Sequence, residues 1–223
     1  MGIILNIDTA VQSASVCLAQ NGQVLGLKIN PLQKDHAAWL HVAIKDLIQE
    51  KNISLQQINA IAISSGPGSY TGLRVGMAAA KGLCYALQIP LITINTLQLM
   101  TFAALHEPTE LFCPMIDARR MEVFTAVFNI DLEAIVSPVN IILNETSFQE
   151  LLYRHTIIFF GNGSTKFRQL NHDKNAVFKQ VEANAAHMVS LSFQKFIKQD
   201  FADLAYTEPF YGKDFHSSVK RSL

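Results

Sequence analysis

Hydrophobic and polar positions divide the first 105 residues into short strands and three helices. An apolar run over residues 2–7 ends on Asp8-Thr9, and residues 10–12 make a turn. Residues 13–19 read as a second strand, Asn21-Gly22 as a hairpin turn, and residues 24–29 as a third strand closed by Pro31. The period then lengthens. Leu40, Ile44, Leu47 and Ile48 share one face of a helix predicted over 35–51. Ile61 to Ile63 predicts a buried strand, and Ser64–Ser69, with glycines flanking Pro67, predicts a tight loop. Thr71 suits the N-cap of a helix that runs to Leu87. A short strand at Leu91–Ile94 and a helix over 95–105 complete this half, and His106–Thr109 reads as a boundary.

The second half repeats the plan. Ile116-Asp117-Ala118-Arg119 answers Ile7-Asp8-Thr9-Ala10, again between two strands. Residues 121–128 and 135–143 give the next two strands, and 147–153 a short helix. Ile157-Ile-Phe-Phe-Gly-Asn-Gly-Ser164 then echoes the strand and glycine loop at 61–69. Two echoes in the same order point to a duplicated αβ unit. They place one domain over residues 1–107 and a second over 108–223.

The helix after the glycine loop is nearly bare of charge. From Leu73 to Leu87 only Arg74 and Lys81 are charged. Gly72, Gly76 and Ala80 follow i, i+4 spacing, and so do Ala78, Gly82 and Ala86. An interior glycine costs a helix about 1 kcal/mol against alanine, so the pattern suggests close approach by another surface. One face is expected to rest on the sheet and another on a partner, with Gly72, Arg74, Val75, Gly76, Ala79, Ala80 and Leu83 forming the contact beside His36 and Leu40. A bulky or charged residue at Gly76 or Ala80 is expected to break partner binding and leave the fold intact. A helix merely central to its own domain fits the same periodicity.

Composition narrows the function. With 18 basic and 18 acidic residues the formal net charge is zero, which argues against a protein that grips nucleic acid unaided. Arg119-Arg120 and Lys220-Arg221 are the local exceptions. Three cysteines without a CxxC pair read as core residues of a reducing compartment. Asp8 inside the first apolar run argues against a signal peptide, so a cytoplasmic protein without a membrane role is expected.

Candidate chemistry is sparse. Gly66-x-Gly68 followed by Gly72 matches neither a P-loop nor a dinucleotide fingerprint. The loop serves either an anion at the helix N-terminus or packing alone. In a duplicated unit, Asp8 with Thr9 and Asp117 would face each other across a cleft, with Gly161 and Gly163 near a phosphate. Neither Asp-bearing hairpin carries glycine, however, so ATP is expected to bind only weakly or at the interface of a complex. The seven histidines contain no HxxxH or HExxH pair, so no metal site and no catalytic residue is assigned.

Ile7-Asp-Thr, the run Ser64-Ser-Gly-Pro-Gly-Ser-Tyr-Thr-Gly-Leu-Arg-Val-Gly76 and the order of both halves closely resemble the bacterial TsaB (YeaZ) family. The signature covers Gly66, Pro67, Gly68, Ser69, Tyr70, Thr71, Gly72, Leu73, Arg74 and Gly76. Pro209-Phe-Tyr-Gly-Lys213 resembles the family's Pro-x-Tyr-Leu-Arg, with Gly212 and Lys213 differing. The resemblance implies an α/β fold of the actin/Hsp70/sugar-kinase type, two RNase H-like domains from a duplicated βββαβα unit. It implies a non-catalytic scaffold subunit that makes tRNA threonylcarbamoyladenosine together with a TsaD-type catalytic subunit and a TsaE-type ATPase. Such a subunit would touch tRNA only indirectly, and the isolated chain is expected to form homodimers. The histidine pair that holds the catalytic metal in TsaD aligns with Thr96 and Met100, neither of which replaces imidazole. The alternative is a free-standing glycoprotease-like metallohydrolase or ATP-dependent kinase of the same fold.

Overall fold

A computed structural model of the protein describes residues 2–11, 13–30 and 35–212. Gln12, Pro31, Lys213 and the Lys220-Arg221 pair lie outside the described residues. Strands β1 (Ile3–Asp8), β2 (Ala14–Gln20) and β3 (Gln23–Asn30) form the opening meander. Asn21 and Gly22 turn β2 into β3 with φ of 51° and 78°, the left-handed geometry that an Asn-Gly pair supplies. Helix α1 (His36–Glu50), strand β4 (Ile58–Ser64), helix α2 (Tyr70–Leu87), strand β5 (Leu91–Ile94) and helix α3 (Thr96–Ala104) follow. The sheet order is β3-β2-β1-β4-β5, with β1 parallel to β4 and β4 parallel to β5.

The second half repeats this order. Strands β6 (Leu111–Asp117), β7 (Glu122–Phe128) and β8 (Ala134–Ile142) form the second meander. Helix α4 (Gln149–Leu152), strand β9 (Ile157–Phe160), helix α5 (Ser164–Leu170) and strand β10 (Ala176–Phe178) follow, giving β10-β9-β6-β7-β8. Read outward from its meander, each sheet has three antiparallel strands and then two parallel ones, so the duplication predicted from two short echoes extends over the whole unit.

The halves exchange their last helices. In α3, Leu97, Met100 and Ala104 pack on the second sheet with Phe112, Ile116 and Phe124, while Leu99 packs on the first with Ile4 and Ala62. A 3₁₀ turn at Ala185–Met188 leads into α6 (Val189–Ile197). Ala185, Met188, Val189 and Leu191 bury against Ile4, Cys17 and Ile92 of the first sheet. Buried hydrogen bonds fix this crossing: Ser192 Oγ donates to Asn6 Oδ1 at 2.6 Å and Ala185 N to Ser15 Oγ at 2.8 Å. The 107/108 division therefore separates the sheets but not the packing, because residues from 185 onward return to the first half. Periodicity could not place them, since an apolar face does not say which sheet it covers.

The chain after α6 also stays with the first half. Ala202 N donates to Leu91 O at the edge of β5, and Phe210 N donates to Ser65 O. Lys81 Nζ donates to Ala205 O at 3.2 Å and Thr207 O at 3.1 Å. Tyr211 lies against Tyr70, with ring centroids 5.1 Å apart. Among the described residues, no helix is long and apolar enough to cross a membrane.

Candidate functional site

The glycine loop is a junction of chain segments. Ser69 N donates to Ala10 O at 2.7 Å, and Gly66 N donates to Thr96 Oγ1 at 3.1 Å. Gly66 has φ of 109°, and a Cβ there would stand 2.1 Å from Phe210 O. At Gly68 a Cβ would stand 2.2 Å from Ala10 O, and at Gly72 2.1 Å from Thr9 O. These distances forbid any side chain, so the glycines admit the first hairpin and the C-terminal strap. Packing accounts for all three. Helix α2 begins two residues earlier than expected: Ser69 is its N-cap, and its Oγ accepts from Gly72 N at 3.2 Å. Thr71 already lies inside the first turn.

The inner face of α2 holds most of the residues expected at a partner surface. Gly72, Ala79 and Ala80 are buried, as is Leu40 of α1. A Cβ on Gly76 would meet Thr9 Oγ1 at 2.2 Å and Ile63 Cδ1 at 2.9 Å. Thr9 Oγ1 also donates to Gly72 O at 2.8 Å, tying helix to hairpin. The Gly72–Gly76–Ala80 row thus seats α2 on its own sheet, and the expectation that Gly76 or Ala80 could be enlarged without harm to the fold is wrong. Val75 and Leu83 are half-buried against the same core, and His36 is half-buried at the start of α1. Of the proposed contact residues, Arg74 alone is exposed; its Nη1 donates to Tyr70 OH at 2.8 Å.

The second small-residue row is open. Ala78, Gly82 and Ala86 are exposed, and a Cβ on Gly82 would find nothing within 4 Å among the described residues. Tyr85 beside them is 73% exposed, and Val42 on neighbouring α1 is 56% exposed. Two rows with identical spacing therefore point in opposite directions. Because 3.6 residues make a turn, rows two positions apart fall on opposing faces.

The two aspartates do not share a site. Asp8 is fully buried: its Oδ1 accepts from Ser64 Oγ at 2.6 Å and Ala10 N at 3.0 Å, and its Oδ2 has no partner among the described residues. Burial pushes its carboxyl above the usual range, against the pull of the Ser64 and Ala10 bonds. Asp117 lies on the rim of a cleft of ≈ 1160 Å³ between the halves. Burial works to raise its carboxyl, but Lys166, whose Nζ lies 2.6 Å from Oδ1, and the Arg119 amide bring it below the ordinary value. Gly161 has φ of 89° with a Cβ position 2.4 Å from Met115 O, and a Cβ on Gly163 would stand 3.0 Å from the Ile116 carbonyl carbon. Both glycines serve packing, so the expected pincer of Asp8, Thr9, Asp117, Gly161 and Gly163 is not assembled. The residues present do not fit a nucleotide–metal cradle.

The positions aligned with the metal pair are committed elsewhere. Thr96 is buried and accepts from Gly66 N; Met100 is buried against the second sheet. No group of three metal-ligating side chains occurs among the described residues. Burial pushes the thiols of Cys17, Cys84 and Cys113 up to about 12, which leaves them protonated and poor nucleophiles.

Comparison with known proteins agrees with this architecture. The tRNA threonylcarbamoyladenosine biosynthesis protein TsaB of Escherichia coli (strain K12) is 29% identical over 222 residues, covering 93% of each chain. YeaZ from Pseudomonas aeruginosa superposes with a TM-score of 0.82 at 23% identity, covering 95% of this chain and all of that one. The activator of the 2-hydroxyisocaproyl-CoA dehydratase from Clostridium difficile, with bound ADPNP, shares the wider fold at a TM-score of 0.50 and 7% identity over 90% of this chain and 98% of that one. Residues 26–209 match the family described as TsaD: tRNA N6-adenosine threonylcarbamoyltransferase, and the chain belongs to that family, with TsaB (YeaZ) proteins among its relatives.

Proposed function

We propose that this chain acts in the cytoplasm as a non-catalytic subunit in the synthesis of tRNA threonylcarbamoyladenosine, pairing with a TsaD-type catalytic subunit and supporting recruitment of a TsaE-type ATPase. The observation that carries the pairing is the open row Ala78–Gly82–Ala86 with Tyr85. Small residues let a second backbone approach closely, and an exposed tyrosine next to them offers an anchor of low conformational cost. The isolated chain would self-associate through the same face. In the non-catalytic reading, Thr96 and Met100 replace the ligand pair, the subunit takes no cofactor of its own, and it meets tRNA only through its partner.

Two measurements test the proposal. Gly82→Arg is expected to melt at or slightly above the wild-type temperature and to lose co-purification with a TsaD-type subunit; full-yield co-purification would refute the interface. The purified chain, given threonine, bicarbonate, ATP and tRNA, is expected to form no threonylcarbamoyladenosine. Robust product from the chain alone would refute the non-catalytic role.

A further inference from the structure

We propose that the C-terminal strap forms one wall of the partner surface on α2, and that Tyr206 anchors the docked subunit there. This rests on pairing with a TsaD-type subunit through the open row of α2, and adds to it a wall and an anchor. Sheet order sets the layout. Helix α1 packs over β2 and β3, whereas the strap joins the opposite edge at β5, where Ala202 N donates to Leu91 O. Helix α2 lies between them over β4, so its open row is the floor of a shallow trough. Along α2 the strap is held at Lys81 Nζ, which donates to Ala205 O and Thr207 O, and again at Tyr70, against which Tyr211 lies.

Tyr206 is fixed by its backbone while its ring stays in solvent. It sits between the two carbonyls that Lys81 holds, and Asp203 Oδ1 accepts from Ala205 N at 2.8 Å and from Tyr206 N at 3.0 Å. Thr207 N closes the turn onto Asp203 O at 2.9 Å. The Tyr206 ring is 84% exposed, and its hydroxyl forms no hydrogen bond among the described residues. Tyr85, one helical turn beyond Lys81, is open in the same way. The bonds from Lys81 and Asp203 hold main chain alone, so the turn does not depend on the phenol ring. A ring on an ordered backbone loses little further entropy on docking, and tyrosine is among the side chains that concentrate binding energy. A floor of small residues rimmed by tyrosines fits an apolar helix. Its backbone can approach Gly82 while the phenol hydroxyls remain at the wet rim. The wall is continuous with the open row, so the occupant is the same TsaD-type subunit, and Lys81 is a positioning residue for Tyr206.

The test is a calorimetric titration of the full chain with a TsaD-type subunit, beside thermal melts. Tyr206→Ala is expected to weaken binding about tenfold and to leave the melting temperature within about 2 °C. Tyr153, 86% exposed just after α4, is the control: Tyr153→Ala should leave affinity unchanged. Lys81→Met keeps the apolar stem and removes both bonds to the strap. It should weaken binding in the wild-type chain and add nothing on top of Tyr206→Ala, a coupling that loss of general stability would not produce. If Gly82→Arg abolishes binding and Tyr206→Ala leaves it unchanged, the strap wall is overturned and the pairing stands. Full affinity in Gly82→Arg overturns both together. If Tyr206→Ala lowers self-association in sedimentation but not affinity for the TsaD-type subunit, the occupant is a second copy and the proposal is overturned.

Discussion

Helices α2 and α3 are almost equally poor in charge, yet the fold treats them differently. α3 carries no charged residue and lies between the two sheets, with Leu97 and Met100 turned to one and Leu99 to the other. α2 is covered on one side, by β1, β4 and α1, and its other side is open. Among the described residues, a second surface covers α3 and none covers the outer row of α2. Low charge marks a helix that needs cover; it does not say whether the cover is internal.

The sharpest way to break this comparison is to truncate a large side chain on each helix. Leu97→Ala empties a fully buried position and is expected to lose about 3 kcal/mol in urea unfolding. Tyr85→Ala is expected to leave stability within about 0.5 kcal/mol and to weaken partner binding about tenfold. Equal losses of stability would mean that the outer row is buried after all.

A smaller effect comes from one substitution made twice on α2. Gly82→Ala gains helix propensity with free space and should stabilise by about 1 kcal/mol. Gly76→Ala should destabilise by about 1–2 kcal/mol, because its methyl would displace Thr9 Oγ1 and break the bond to Gly72 O. Thermal melts of the two variants should shift in opposite directions. Shifts of one sign would show that the rows are not inner and outer.

The smallest effect concerns Asp8, which bonds to Ala10 and Ser64 below the start of α2. Its folded-state pKa is raised, so the native state holds the proton more tightly than the unfolded chain. The stability that Asp8 contributes should therefore be fully present below about pH 4, the unfolded value, and be lost as pH rises through the folded value. Asp8→Asn should flatten that fall in melts taken from pH 4 to pH 8. An unchanged slope would remove Asp8 as the cause.

Much of the fold was legible because its signals are local. The Asn21-Gly22 turn and the repeated strand–glycine-loop units each sit within a few residues. Helix α5 and strand β10 are short, and α6 is entered through a 3₁₀ turn capped by Asn184, so none of the three leaves a long periodic signal in the sequence. At the glycine loop the sequence left packing and anion binding open. Contacts with Ala10 and Phe210, remote in sequence, decided for packing. In the sequence Arg119 and Arg120 are only a basic pair; their left-handed backbone and shared cleft are set by the tertiary structure.

By itself, the sequence determined that the unit is duplicated, that α2 must be covered on more than one side, and that no imidazole pair stands at residues 96 and 100. Only the tertiary structure decided which row of small residues on α2 faces inward, and that the last helix returns to the first sheet. The physical reason is that periodicity measures angle around a helix axis. Direction is set by whatever packs alongside, and here that is Thr9 and Ile63, more than ten residues away along the chain.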